Sequence, residues 1–297
     1  MAEEATGILE PACQHYSEAP EFRLTTKSQN MSQNRQNALI RSVPGYLSLP
    51  RPVVARVETL LPGSLTPWHR HDWWQLTWAL SGVVNLETRH ASFMAPTQRA
   101  IWIPPGIEHQ ATNASFTEMR SLYVASSLMR WAPDRCRVVA ISPLVRELIM
   151  AISALPADYA LDVQNERLIG VLVDQLEALP EVAFNLPMPE DPRLARICDS
   201  LQTQPDDKRT MAAWGKVVGL SERSLARLFM RQTGLSFGDW RQRMRLLLAL
   251  NALERGERVT RVALDAGYAS ASAFIAAFRR NFGLTPTEMF RPEKVRQ

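Results

Sequence analysis

A chain of 297 residues, 46% hydrophobic and 22% charged, has room for two domains that each bury a core. No apolar run approaches a membrane span, and the acidic start MAEEATGILE lacks the basic and apolar regions of a secretory leader. Three scattered cysteines, Cys13, Cys136 and Cys198, imply neither a disulfide framework nor a CxxC metal site, so a reducing cytoplasm is the expected setting.

Residues 1–45 are polar and without periodicity, and are expected to form a flexible tail. From Tyr46 to Val124 the texture becomes short β-prone runs broken by Pro and Gly: VVARVETL, WQLTWALSG, VVNLETRHASFMAP, RAIWIPPG and MRSLYVAS. Strands this short and closely spaced point to a small barrel or sandwich. Among them, Gly63, His69, His71, Gln75 and Gly82 form one spaced set, and Pro104, Gly106, His109 and Asn113 form another. The two sets resemble the paired motifs of the cupin family, G-x5-H-x-H-x3-E-x6-G and P-x-G-x2-H-x3-N. Gln75 stands where the family has Glu, and Gln98 where its second motif opens with Gly. The resemblance implies a double-stranded β-helix over residues 46–130.

Two histidines one residue apart share a side of a strand, and a third from an opposite strand completes a facial set of imidazoles. Such a set suits Zn, Fe, Ni or Mn, although Gln75 contributes only a neutral carbonyl where Glu would bring charge. Two readings stand side by side. In one, His69, His71, Gln75 and His109 bind a divalent metal. In the other, Trp68, His69, His71, Gln75 and His109 line a metal-free pocket for a small-molecule effector. Trp73, Trp74, Trp78 and Trp102 crowd the same segments, and most are expected in the barrel core.

Residues 131–180 turn helical. Leu144, Leu148, Ile152 and Leu155, then Leu161, Leu168, Leu172, Leu176 and Leu179, recur at helical intervals on either side of Pro156. The pair is either a homodimer interface or a cover for the barrel. Pro180, Pro187, Pro189 and Pro192 mark residues 181–192 as a linker.

The remainder, residues 193–297, is basic. From Asp191 onward there are 19 Lys and Arg against 11 Asp and Glu, leaving 15 against 19 for the rest. This is the electrostatic footprint of phosphate contact. In MAAWGKVVGLSERSLARLFMRQ, Trp214, Val218, Leu220, Leu225 and Leu228 face inward from two short helices, with Gly219 at the turn. Ser221 caps the second helix, whose outer face offers Glu222, Arg223, Ser224 and Arg227. The pattern returns 48 residues later. Val262, Ala263, Ala266, Gly267, Tyr268, Ala273 and Ala276 take the places of Trp214, Gly215, Val218, Gly219, Leu220, Leu225 and Leu228. Ser270 precedes the new helix, which carries Ser272, Arg279 and Arg280. Between the units, a helix from about Phe237 to Arg255 shows an apolar surface, with Arg241, Arg243 and Arg245 expected in solvent.

The Ala-Leu-Asp-Ala-Gly-Tyr run, the Ser-x-Ser-x-Phe helix start, the Phe-Arg-Arg run and the Gly-x-x-Pro close together resemble the AraC/XylS family of transcription regulators. The match covers about 191–292. The resulting expectation is an α+β multidomain chain, a cupin barrel followed by an all-α domain with two helix-turn-helix motifs. It would bind promoter DNA, respond to a small molecule or metal, form a homodimer and, as an activator, contact RNA polymerase, with no membrane partner. Arg223 and Arg227 are the expected base readers, with Glu222 and Ser224 adding contacts. Ser221, Ser270, Ser272, Arg279 and Arg280 lie at or near the reading helices, the last four facing phosphate. The rival is a cupin metalloenzyme of dioxygenase or isomerase type fused to a DNA-binding domain, with Glu108 as a substitute acid or base if it points inward.

Overall fold

The computed structural model describes residues 39–43, 45–129 and 134–290, so the expected tail lies almost wholly outside the described residues. Strands run in order β1 (Leu39–Ile40), β2 (Val53–Leu60), β3 (Ser64–His69), β4 (Trp74–Ser81), β5 (Val83–Thr88) and β6 (Ala91–Pro96). They continue with β7 (Arg99–Ile103), β8 (His109–Thr112), β9 (Thr117–Val124), β10 (Arg137–Ala140), β11 (Glu181–Val182) and β12 (Asn185–Pro187). Two facing six-stranded sheets result, ordered β1-β3-β8-β5-β6-β12 and β11-β10-β7-β4-β9-β2. Alternation sorts β4 cleanly. Trp74, Leu76 and Trp78 point outward into one apolar cluster, whereas Gln75, Thr77 and Ala79 lie on the opposite face.

Helices α1 (Pro143–Ser153) and α2 (Val163–Glu177) start at capping side chains, Ser142 and Asp162. Their stripe of Leu148, Ile149, Ile152, Ile169, Leu172, Val173 and Leu176 packs on Trp74, Trp78 and Trp102. Each such residue contributes about 1.5–3 kcal/mol on full burial. The apolar pattern in 131–180 is therefore used against the barrel. Leu144, Leu161, Val163 and Val171 remain exposed. The stretch expected as a linker carries β11 and β12, one on each sheet. Pro187 is tolerated because β12 is an edge strand, where a missing N–H breaks no ladder.

The C-terminal helices are α3 (Pro192–Thr203), α4 (Met211–Val218), α5 (Glu222–Thr233), α6 (Phe237–Glu254), α7 (Val259–Asp265), α8 (Ala271–Phe282) and α9 (Pro286–Met289). Thr210, Ser221, Ser236, Ser270 and Thr285 each cap a helix by accepting a backbone N–H. Among the described residues, no helix is long and apolar enough to cross a membrane.

The connector α6 is buried on several sides through Trp240, Met244, Leu246, Leu247, Leu250 and Leu253, and it packs on β5, β6 and β12 as well as on its neighbouring helices. One core thus runs through both domains. Phe184 stacks on Phe282 with ring centroids 4.3 Å apart, Trp240 Nε1 donates to Pro187 O at 2.7 Å, and Ser115 Oγ donates to Glu254 at 2.7 Å. The connector arginines are half-buried and not solvated as expected. Arg241 donates to the carbonyls of Arg209 and Asp207, and Arg245 donates to that of Pro205, so both clamp the turn between α3 and α4.

Candidate functional site

The two histidine segments are tied together by backbone. Gly106 N–H donates to His71 O at 2.8 Å, Gly63 N–H to Asn113 O at 2.9 Å, and Asn113 Nδ2 to Leu61 O at 3.0 Å. Gly82 has φ +87°, and a Cβ there would lie 2.3 Å from Thr117 Oγ1, so only glycine fits this turn. Strands β3 and β8 pair His69 with His109, and His71 follows in the next loop. One ring nitrogen of each histidine lies within 4.8 Å of those of the other two.

Each ring is oriented by a main-chain carbonyl at Nδ1: Pro67 O for His69 at 2.9 Å, Trp73 O for His71 at 2.8 Å, and Ile107 O for His109 at 2.9 Å. A carbonyl only accepts, so a neutral ring here carries its proton on Nδ1 and leaves Nε2 as a bare lone pair. Burial pushes all three rings down from 6.5, His109 to about 3, so the neutral form holds at ordinary pH. His109 Nε2 is buried and has no partner. This is the outer-shell arrangement that prepares imidazoles as metal ligands.

Gln75 sits 2.8 Å from His71 Nε2 through its amide oxygen, and its Nε2 donates to Thr77 Oγ1 at 2.6 Å. With both nitrogens facing oxygens, His71 would need two protons. Burial opposes that charge, and a half-turn of the amide relieves the conflict. Trp68 is exposed, within an irregularity of the β3–β8 pairing between Thr66 and His69. The indole at the site is Trp73, stacked on His71 at 5.1 Å and 3°. Glu108 is held by Arg89 at 2.6 Å on the surface, away from the rings, and is not placed as an acid or base for them.

The second surface lies on the helical domain. Ser221 accepts from Ser224 N at 3.2 Å and starts α5. Glu222, Arg223 and Arg227 stand exposed on its outer face. Among the described residues no carboxylate or carbonyl holds the Arg223 or Arg227 side chain, which leaves both forks free. In the second unit Ser270, Ser272, Arg279 and Arg280 are likewise exposed, with Arg280 donating to Gln242 at 3.2 Å. An open groove of about 600 Å³ runs between Ser272, Arg279, Arg280 and Thr285. The internal repeat needs one correction. The first helices of the two units match at a spacing of 48. The inward residues of α8 are Phe274 and Phe278, not Ala273 and Ala276, which are exposed. They match Leu225 and Phe229 at 49, because Ala269 lengthens the second turn by one residue.

A family model for a helix-turn-helix domain matches residues 214–292, and one for an AraC-like ligand binding domain matches residues 51–178. The HTH-type transcriptional regulator NimR of Escherichia coli (strain K12) is 35% identical over 221 residues, covering 74% of this chain and 81% of that protein. Regulatory protein SoxS of the same strain is 39% identical over 74 residues, 25% of this chain and 69% of that protein. The structure of ToxT from Vibrio cholerae O395 aligns over 82% of this chain and 99% of that one, at 13% identity and a TM-score of 0.36.

Proposed function

The chain belongs to the AraC family of transcription regulators, and we propose that its two reading helices enter successive major grooves of promoter DNA under the control of an effector held at the three histidines. The carrying observation is the free outer face of α5 beside its counterpart α8, both fixed to one connector. That connector has 18 residues and spans about 27 Å, against about 34 Å between grooves one turn apart on one face of a duplex. Arg223 and Arg227 read base edges, with Glu222 and Ser224 beside them. Ser221, Ser270, Ser272, Arg279 and Arg280 hold phosphate.

The three histidines fit a divalent ion such as Zn, Fe, Ni or Mn, with Gln75 as a neutral fourth donor once it leaves His71. Such an ion would supply a Lewis-acid anchor for an effector oxygen. On this reading the chain acts by binding and without turnover, as the transcription regulators it resembles do. We assign its setting to the cytoplasm, its working form to a homodimer using the exposed side of α1 and α2, and contact with RNA polymerase to an activating role.

Selection of genomic fragments by the purified full-length protein, followed by footprinting, tests the reading. Two protected major-groove segments about 10 base pairs apart are expected. Salt-sensitive binding without sequence preference would overturn it. In protein purified without chelators, loss of stoichiometric metal on His69→Ala/His109→Ala is expected, and absence of metal from the parent would sink the metal assignment alone.

A further inference from the structure

Two guanidiniums converge beside the histidine cluster on a single carboxylate. Arg41, just after β1, and Arg56, on β2, both pair with Glu58, the latter at 2.7 Å. Neither is a surface pair, with side-chain exposures of 12% for Arg41, 23% for Arg56 and 15% for Glu58. Arg41 also donates to Thr66 on β3 at 2.6 Å, three residues before His69, and Arg56 donates to Ser42 O at 3.0 Å and lies beside Tyr123. The Tyr123 ring lies 6.2 Å from that of His71. Even with every imidazole uncharged, these three side chains keep one positive charge in excess.

Two of its unsatisfied groups match that charge, while His109 Nε2 remains an unpaired acceptor. Arg41 Nε and Trp73 Nε1 are buried N–H donors without acceptors. A buried donor left unpaired is costly, and a buried charge in excess more so. The partner that answers both is a small anion with planar oxygens, which a guanidinium fork takes in a bidentate way.

We propose that the effector is a small organic carboxylate, bound at the histidine end of the barrel by Arg41 and Arg56. This deepens the assignment of that end as the effector site and rests on it. Tyr46, edge-on to Trp73 and Tyr123 at 6.3 and 6.5 Å, walls the same end, so Arg41 and Tyr46 are part of the site although they fall in or beside the stretch read as tail.

The test is calorimetric titration of the full-length protein with acetate, pyruvate and succinate, each against its neutral amide. At least one acid should bind at one per chain while its amide does not. Arg41→Gln and Arg56→Gln should each weaken binding by about tenfold or more. If Arg41→Gln fails to fold, Arg41→Lys keeps the charge, loses the fork, and should still weaken binding. No binding by any acid at about 20 mM, above the millimolar range of weak ligands, or binding unchanged in the variants, overturns the proposal. Footprinting the same preparations separates the two levels. Selective DNA binding without carboxylate binding removes only this inference, whereas carboxylate binding without selective DNA binding removes the regulator reading.

Discussion

A guanidinium without a protein partner keeps its whole hydrogen-bonding fork for DNA, and Arg223 on α5 is in that position. Bidentate contact with guanine O6 and N7 carries sequence information that phosphate contact lacks. Arg223→Ala should cost roughly 1–3 kcal/mol on the preferred site and relax preference at one base pair. Arg279→Ala, the phosphate control, should weaken preferred and random duplexes alike and lower the salt slope by about one. Fluorescence anisotropy on both duplexes distinguishes the two, and equal losses for Arg223→Ala would remove it from the base readers. At this scale the three histidines were legible because strand alternation and motif spacing leave few places for them. Trp68, next to His69 in sequence, is exposed, and the indole stacked on His71 is Trp73. Arg41, Arg56 and Glu58 carried no signal at all. Two come from a run read only as β-prone, and one from a segment whose composition is that of a tail.

Whether a helix-turn-helix closes depends on the space at its elbow. A Cβ on Gly215 of α4 would lie 2.5 Å from Leu220 O, the carbonyl that leads into α5. The equivalent in α7 is Ala263, fully buried, and its turn is one residue longer, which lets the second elbow hold a methyl group. Gly215→Ala should therefore destabilise the first unit by roughly 1–3 kcal/mol through overpacking. Urea melts and hydrogen exchange in α4 and α5 measure this, and unchanged protection there would refute the elbow argument. Helix ends were readable in advance because hydroxyl caps announce them, as Ser221 and Ser270 do. Long strands such as β2, β4 and β9 were readable by alternation. β11 and β12 were not, since two or three residues among prolines hold no period. The stripe on α1 and α2 was plain, but its target was not, because a stripe does not say which apolar face it meets.

The whole molecule is defined by the contact between its domains, which no local pattern announces. Phe184, buried beside β12, stacks on Phe282 at the end of α8, and around this pair the barrel and the connector share one core. His109 and Ser115 lie six residues apart, with β8 and Asn113 between them, and Ser115 reaches Glu254 at the end of α6. A rearrangement at the histidines therefore has a short covalent route to the rod that spaces the reading helices. The docked arrangement leaves Arg223 and Arg227 exposed. The contact must then hold the domains as one cooperative body. Removing a buried aromatic ring costs roughly 3–5 kcal/mol, and here the loss falls on the junction. Phe184→Ala should turn a single calorimetric transition into two, with the helical domain melting apart from the barrel. Trp240→Phe, which loses the bond to Pro187 O and part of a buried ring, should lower stability without splitting the transition. A single transition at the parent temperature in Phe184→Ala would mean that the stacked rings touch without coupling the domains, and the route from β8 to the connector would have to bear the communication alone.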